Sequence, residues 1–156
     1  DEDKQQLFEV KCSNKRQKLS KDELAAVKKS ITASLKYIKP YHGPSRTWFA
    51  NQDSLQEGCN RLRAIVSDLS VNRQTADILV KLLLRLDRKL SVGGVDDSNG
   101  IVWPFMSEVV QLLIDYARID SDCVKSFKSL VGLGITSFGW EEPLARIFEK
   151  YFDARK

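Results

Sequence analysis

Residues Ala76–Leu90, ADILVKLLLRLDRKL, decide the fold of this chain. On a helix that turns about 100° per residue, the apolar side chains of this stretch cover an arc of roughly 200°. A helix at the surface of a domain needs an apolar stripe only somewhat wider than about 100°. The stretch therefore predicts a central helix with neighbours on two or three sides, and its polar side carries Lys81, Arg85 and Arg88.

The composition of the chain is that of one globular domain. Of its 156 residues, 42% are hydrophobic and 29% are charged, which argues against a disordered or low-complexity protein. No apolar run approaches the roughly 20 residues of a membrane span, so we expect no membrane partner. The acidic start, DEDKQQLFEV, is unlike a secretory signal, and three widely spaced cysteines favour an intracellular, reducing compartment. Because the chain begins with Asp1, we expect it to be a domain of a longer protein.

Helix start and stop signals divide residues 19–156 into six predicted helices in one domain, after a basic, poorly structured extension at residues 1–18. Two capping boxes, Ser20–Glu23 and Ser54–Glu57, mark the starts of the first and second helices. Pro40 is expected to end the first helix, since the residue before a proline avoids the α conformation. The other four helices are predicted to begin at Asn72, Pro104, Ser121 and Glu141.

These elements predict an all-α fold, because no segment shows a convincing strand pattern. Two arrangements remain open: a short stack of antiparallel helix pairs, like HEAT or armadillo repeats, and a closed helical bundle. We favour the stack, because short helices follow one another through tight connections. Trp103 and Trp140, each just before a predicted helix, are compatible with a two-helix repeat.

No group of residues predicts an enzyme, a metal site or a cofactor. His42 is the only histidine and falls in a loop without zinc-binding neighbours. Cys123, near a helix start, is the one candidate for a reactive thiol. The segment Asp96–Gly100 lacks the distal glutamate of an EF-hand, so it predicts a polar turn within an exposed, flexible loop.

Positive charge is concentrated near the start of the chain and predicts a binding face. Residues 1–46 hold 11 Lys and Arg against 6 Asp and Glu, whereas residues 47–156 hold 14 against 15. The alternatives are a solvated lysine face and, on the central helix, salt bridges with Asp77, with Asp87 or with a neighbouring helix. The candidate partner contacts are four lysines of the first helix and two arginines of the central helix: Lys28, Lys29, Lys36, Lys39, Arg85 and Arg88.

We therefore predict a non-catalytic scaffold domain that holds a partner protein. An amphipathic peptide or helix of the partner would dock in a groove between helices, with electrostatic attraction from the basic face. Binding of nucleic acid by the same face is the alternative. The basic cluster at Asn14–Lys21 favours a nuclear location.

Overall fold

The structure, a computed structural model, describes residues 18–127. These residues form four α-helices and two 3₁₀ segments without a strand among them, which confirms the predicted all-α class. The predicted sixth helix and nearly all of the predicted N-terminal extension lie outside the described residues. The helices are α1 (Lys21–Leu35), α2 (Trp48–Ser67), α3 (Arg73–Ser91) and α4 (Val102–Ile119), with 3₁₀ segments at Ser45–Thr47 and Ser121–Phe127.

Helix α3 has neighbours on three sides, as its leucine content predicts, but α2 is not one of its main contacts, so the other helices do not all surround it. It packs against α4 and against Ser121–Phe127, and it faces α1 across a groove. Lys81, Arg85 and Arg88 are exposed along its polar side. Burial of one leucine side chain contributes about 2 kcal/mol to folding. Four leucines of α3 have at most 1% of their surface exposed: Leu79, Leu82, Leu83 and Leu86.

Side chains cap α1 and α3 as the sequence predicts. The Ser20 hydroxyl accepts from the backbone N–H of Glu23 at 3.1 Å, and the Glu23 carboxylate accepts from the Ser20 N–H at 2.9 Å. Hydrogen bonds from the Ser20 backbone and hydroxyl lower the pKa of Glu23. At α3, the Asn72 side chain accepts from the Thr75 N–H at 2.9 Å, while the Thr75 hydroxyl accepts from the Asn72 N–H. Both helices therefore begin where the sequence places them.

The predicted start of α2 at Ser54 is wrong, because α2 begins at Trp48. The Ser54 hydroxyl caps no helix and donates instead to the backbone oxygen of Tyr37 at 2.8 Å. The first turn of α2 is held by a long-range contact, in which the indole N–H of Trp48 donates to Asp96 at 2.8 Å. A local capping pattern was thus outweighed by contacts between segments distant in sequence.

Helix α1 ends at Leu35, earlier than Pro40 alone predicts. The backbone N–H groups of Tyr37 and Ile38 donate to carbonyl oxygens three residues earlier, each at 3.1 Å, which forms a tighter turn than an α-helix. This turn brings Ile38 to full burial. Lys39 lies beyond it in the connection to α2, so the expectation that Lys39 continues a helical lysine face is wrong.

The connection between α3 and α4 is largely exposed, as its composition predicts, and it is attached to the domain at Val95 and Asp96. Val95 is buried, and the Gln52 side chain donates to the backbone oxygen of Asp96 at 2.9 Å. Helix α4 begins before Pro104, whose missing N–H falls in the first turn and breaks no helical hydrogen bond. The Asp97 carboxylate accepts from the backbone N–H groups of Ile101, Val102 and Trp103 at 2.8 to 2.9 Å.

The four helices form two hairpins that stack side by side. Helix α1 packs against α2, α3 packs against α4, and α2 packs against α4. A bundle in which successive helices circle a common axis would place α2 beside α3. The observed order is instead that of stacked helix pairs, the arrangement favoured from the sequence.

Hydrogen bonds between the hairpins show that stacked helices run in the same direction. Between α2 and α4, Cys59 contacts the Ile101 backbone oxygen at 3.8 Å, and four residues later Arg63 donates to Glu108 at 2.8 Å. Between α1 and α3, the backbone N–H of Leu19, which precedes α1, donates to the side chain of Gln74 in the first turn of α3 at 2.9 Å. In the second half of both helices, Arg85 of α3 donates to Thr32 of α1 at 3.2 Å. Helices α1 and α3 therefore form one layer, and α2 and α4 form the other.

The close approach of α1 to α2 depends on Gly58. A Cβ atom at this position would lie 2.8 Å from Ile38 Cγ1 and 3.2 Å from the Ser34 backbone oxygen. Overpacking of this kind costs about 1–3 kcal/mol, and the better helix propensity of alanine offsets about 1 kcal/mol of it. We expect Gly58→Ala to lower the free energy of unfolding in urea by about 1 kcal/mol.

A matched substitution separates packing from helix propensity in this experiment. Ala64 is exposed on the same helix, so Ala64→Gly reports the propensity difference alone, expected at about 1 kcal/mol. A Gly58→Ala protein that is as stable as the wild type would contradict the tight α1–α2 contact.

Candidate functional site

A groove of about 280 Å³ lies between α1 and α3. Its floor is apolar and formed by Ile31, Ile78 and Leu82, all of which are buried. Its rim is polar, exposed and mostly cationic. The rim residues are Lys28 and Thr32 on α1, and Lys81 and Arg85 on α3.

The parallel course of α1 and α3 explains how floor and rim come together. On each helix the lining residues are three or four positions apart and so share one face. On α3 this face lies at the boundary between the apolar and polar arcs, which places Leu82 on the floor and Arg85 on the rim. From Ile78 to Arg85 the helix rises about 10 Å, which is the length of the groove along α3.

The cations of the rim are not neutralised within the described part of the chain. The four ion pairs there join other residues, on α2, on α4 and in Ser121–Phe127. The guanidinium of Arg85 donates to the Thr32 hydroxyl at 3.2 Å and forms neither of the expected salt bridges, to Asp77 or Asp87. A carboxylate brought to the rim would therefore meet cations that have no anionic partner among the described residues.

The positive potential extends one turn beyond Arg85. Lys89 follows Arg85 by four residues and lies on the same side of α3. Burial, and after it the charge of Arg85, lower the pKa of the Lys89 ammonium group. Both effects disfavour the charged form of the ammonium group, and burial is the larger of the two.

The structure brings together two of the six predicted partner contacts. Lys28 and Arg85 are 57 residues apart in sequence and line the same groove. Four others do not line it: Lys29 and Arg88 are exposed on α1 and α3, Lys36 is the C-cap of α1, and Lys39 lies in the following connection.

Lys81 was not predicted to be a partner contact, and the apolar floor of the groove was not predicted at all. Lys81 was assigned to the polar side of the central helix, but nothing in the sequence showed that α1 lies beside it. Ile31 and Leu82 follow the apolar helical period, and this pattern does not distinguish a core residue from the floor of a groove. The spacing of Lys81 and Arg85, one turn apart, was the available signal.

The candidate reactive thiol lies in the core. Neither Cys123 nor Cys59 has exposed surface, and burial raises the pKa of each thiol to about 12. The thiolate is the nucleophilic form of cysteine. At neutral pH both side chains therefore behave as small apolar groups of the folded protein.

Within residues 18–127, no cluster of His, Cys, Asp and Glu side chains has the composition of a metal site. No helix in the same part of the chain is long and apolar enough to cross a membrane. Comparison with known proteins finds no matching family model, curated protein or solved structure.

The raised pKa values of the two thiols predict slow alkylation. In a Cys12→Ser protein, we expect Cys59 and Cys123 to resist iodoacetamide at pH 8 in the native state. Both should react completely in denaturant, because unfolding restores a thiol pKa of about 8.5. Mass spectrometry of the intact protein counts the modified thiols, and rapid labelling of either one in the native state would contradict their burial.

Proposed function

We propose that this protein is a non-catalytic helical scaffold domain that binds a segment of a partner protein in the groove between α1 and α3. The observation that carries the proposal is a buried apolar floor between cations that have no ion-pair partner among the described residues. Partner helices commonly dock with their apolar face in a hydrophobic groove between helices. The proposal narrows the predicted contacts to Lys28 and Arg85, and adds Lys81.

Side-chain chemistry supports a protein partner over nucleic acid. A surface for single-stranded nucleic acid combines cations with aromatic side chains on which bases stack, and the groove lining contains no aromatic residue. The indole N–H of Trp48, an aromatic residue that follows the first helix in sequence, donates to Asp96 at the start of α2. The apolar floor is complementary to aliphatic side chains of a protein. Nucleic-acid binding by the wider basic surface remains the second candidate function, supported by the charge excess of residues 1–46.

A nuclear location is part of the same proposal. It rests on the basic cluster at Asn14–Lys21, most of which lies outside the described residues. A basic cluster of this length can serve as a nuclear import signal. The groove and its proposed role do not depend on this assignment.

Charge reversal in the groove tests the docking role. Immobilised wild-type domain and a Lys28→Glu/Lys81→Glu variant are compared for recovery of partner proteins from a lysate of the source cells. We expect recovery to fall at least about tenfold in the variant, because two attractive contacts become repulsive. Lys36→Glu/Lys39→Glu makes the same change in net charge outside the groove and should leave recovery unchanged.

The variant is designed to keep its fold. Lys81→Glu places a carboxylate one turn before Arg85, which is favourable, and one turn after Asp77, which is unfavourable, so the two effects oppose each other and we expect the free energy of unfolding to change by less than about 0.5 kcal/mol. Digestion of the lysate with nuclease separates the two candidate functions. Equal loss in both double variants, or loss of recovery after digestion, would overturn the proposed groove docking.

A further inference from the structure

We propose that the groove takes an acidic amphipathic helix, about two turns of which lie between Lys28 on one side and Lys81 and Arg85 on the other. This inference rests on the proposed docking role and specifies the chemistry of the partner. It follows from the size of the groove, from the secondary structure of its walls and from the distribution of charge along its two edges.

The size of the groove matches a few side chains and not a cofactor. Its volume of about 280 Å³ is just below the range of roughly 300–1,000 Å³ found for small-molecule pockets. The length along α3 is about 10 Å, which equals two helical turns. Two apolar side chains spaced three or four residues apart on a helix lie about 5–6 Å from each other and fit this length.

The walls favour a helix over an extended peptide. Extended peptides gain affinity by adding a strand to a sheet edge, and the described residues contain no sheet. The two walls are parallel helices with lining residues at spacings of three and four. The side chains of a third helix can pack between such rows as ridges into grooves.

Charge on both edges favours an acidic partner. Lys28 stands on the α1 edge, and Lys81 and Arg85 stand on the α3 edge. A helix whose apolar anchors are flanked by carboxylates on both sides would pair with both edges at once. A neutral or basic helix would remove water from these cations without providing partners for them, which is unfavourable. The aliphatic stems of the two lysines can meanwhile cover the apolar part of the bound helix.

The chemistry of the floor disfavours a small anion as the ligand. Binding sites for phosphate present backbone N–H groups or several polar side chains to the anion. Here the floor consists of Ile31, Ile78 and Leu82, and Thr32 is the one neutral polar side chain that lines the groove. The cations of the rim would bind a phosphate as readily as a carboxylate, so the apolar floor is the feature that favours a helix with apolar anchors over a small anion.

Designed peptides test the inference directly. The probe is an 18-residue amphipathic helix with leucines at alternating spacings of three and four and glutamates on both flanks of the leucine stripe. Binding to the full chain is measured by fluorescence anisotropy, and the site is mapped by the methyl NMR signals of Ile31, Ile78 and Leu82. We expect saturable binding that shifts these three signals and increases the helix content of the peptide.

Matched peptides isolate the contributions of charge, anchors and helix. Replacement of every glutamate by glutamine should weaken binding by about tenfold or more, since several ion pairs are lost. Replacement of the leucines by serine should abolish it, and a central proline should weaken it strongly. On the protein, Lys28→Gln/Lys81→Gln should lower the affinity for the acidic peptide, whereas Lys36→Gln/Lys39→Gln should not.

Three results would overturn the inference. The first is equal binding of the acidic and glutamine peptides, and the second is a set of shifted signals that lies outside the groove. The third is a shift of the same three methyl signals by a 12-base-pair DNA duplex or by inorganic phosphate, but not by the acidic peptide. Should the acidic peptide fail while recovery from lysate still depends on Lys28 and Lys81, the docking role stands and the acidic-helix partner is wrong. Failure of both experiments removes the docking role as well.

Discussion

Four leucine side chains of α3, at positions 79, 82, 83 and 86, are removed from water almost completely. They lie on the helix that contacts α4 and Ser121–Phe127 and that faces α1. At about 2 kcal/mol for each buried leucine, this contribution is comparable to the whole stability of a typical domain, 5–15 kcal/mol. Helix α4 and Ser121–Phe127 cover most of this apolar surface, and α2 packs in turn against α1 and α4.

The same burial produces the candidate site. Helices α1 and α3 lie in one layer, and the groove separates them where the apolar side of α3 meets its polar side. Ile78 and Leu82 form the floor there, while Lys81 and Arg85, on the neighbouring arc, form one edge. Apolar side chains and cations without an ion-pair partner in residues 18–127 are thus adjacent because the helical period makes them so. The feature that stabilises the domain also shapes the surface proposed to bind a partner.

Features set by local interactions were predicted well from the sequence. The starts of α1 and α3 were correct because Ser20 and Asn72 satisfy backbone N–H groups within the same turn. The start of α2 was wrong because Trp48 and Ser54 take part in contacts with Asp96 and Tyr37, which are distant along the chain. In the α3–α4 connection, the exposed polar turn was predicted from composition, whereas the burial of Val95 was not, because it depends on contacts with distant segments.

The candidate site was predicted only in part. Lys28 and Arg85 were singled out by charge and helical position, but their proximity depends on the stacking of two hairpins, which no local pattern encodes. The lysine face was extended too far, to Lys39, because the tight turn after α1 cannot be distinguished from a continuing helix by apolar spacing alone. Residues from two helices can be assigned to one binding site only when the tertiary arrangement is known.

The most direct test of this account is whether α1 lies beside α3. A nitroxide label on a Thr32→Cys protein, in a Cys12→Ser background, broadens methyl NMR signals of nearby side chains. We expect strong broadening of Ile78 and Leu82 on α3 and a much weaker effect on Leu113, which is buried on α4 in the other layer. Sharp signals for Ile78 and Leu82, or equal broadening of Leu113, would contradict the layered arrangement and the groove that it creates.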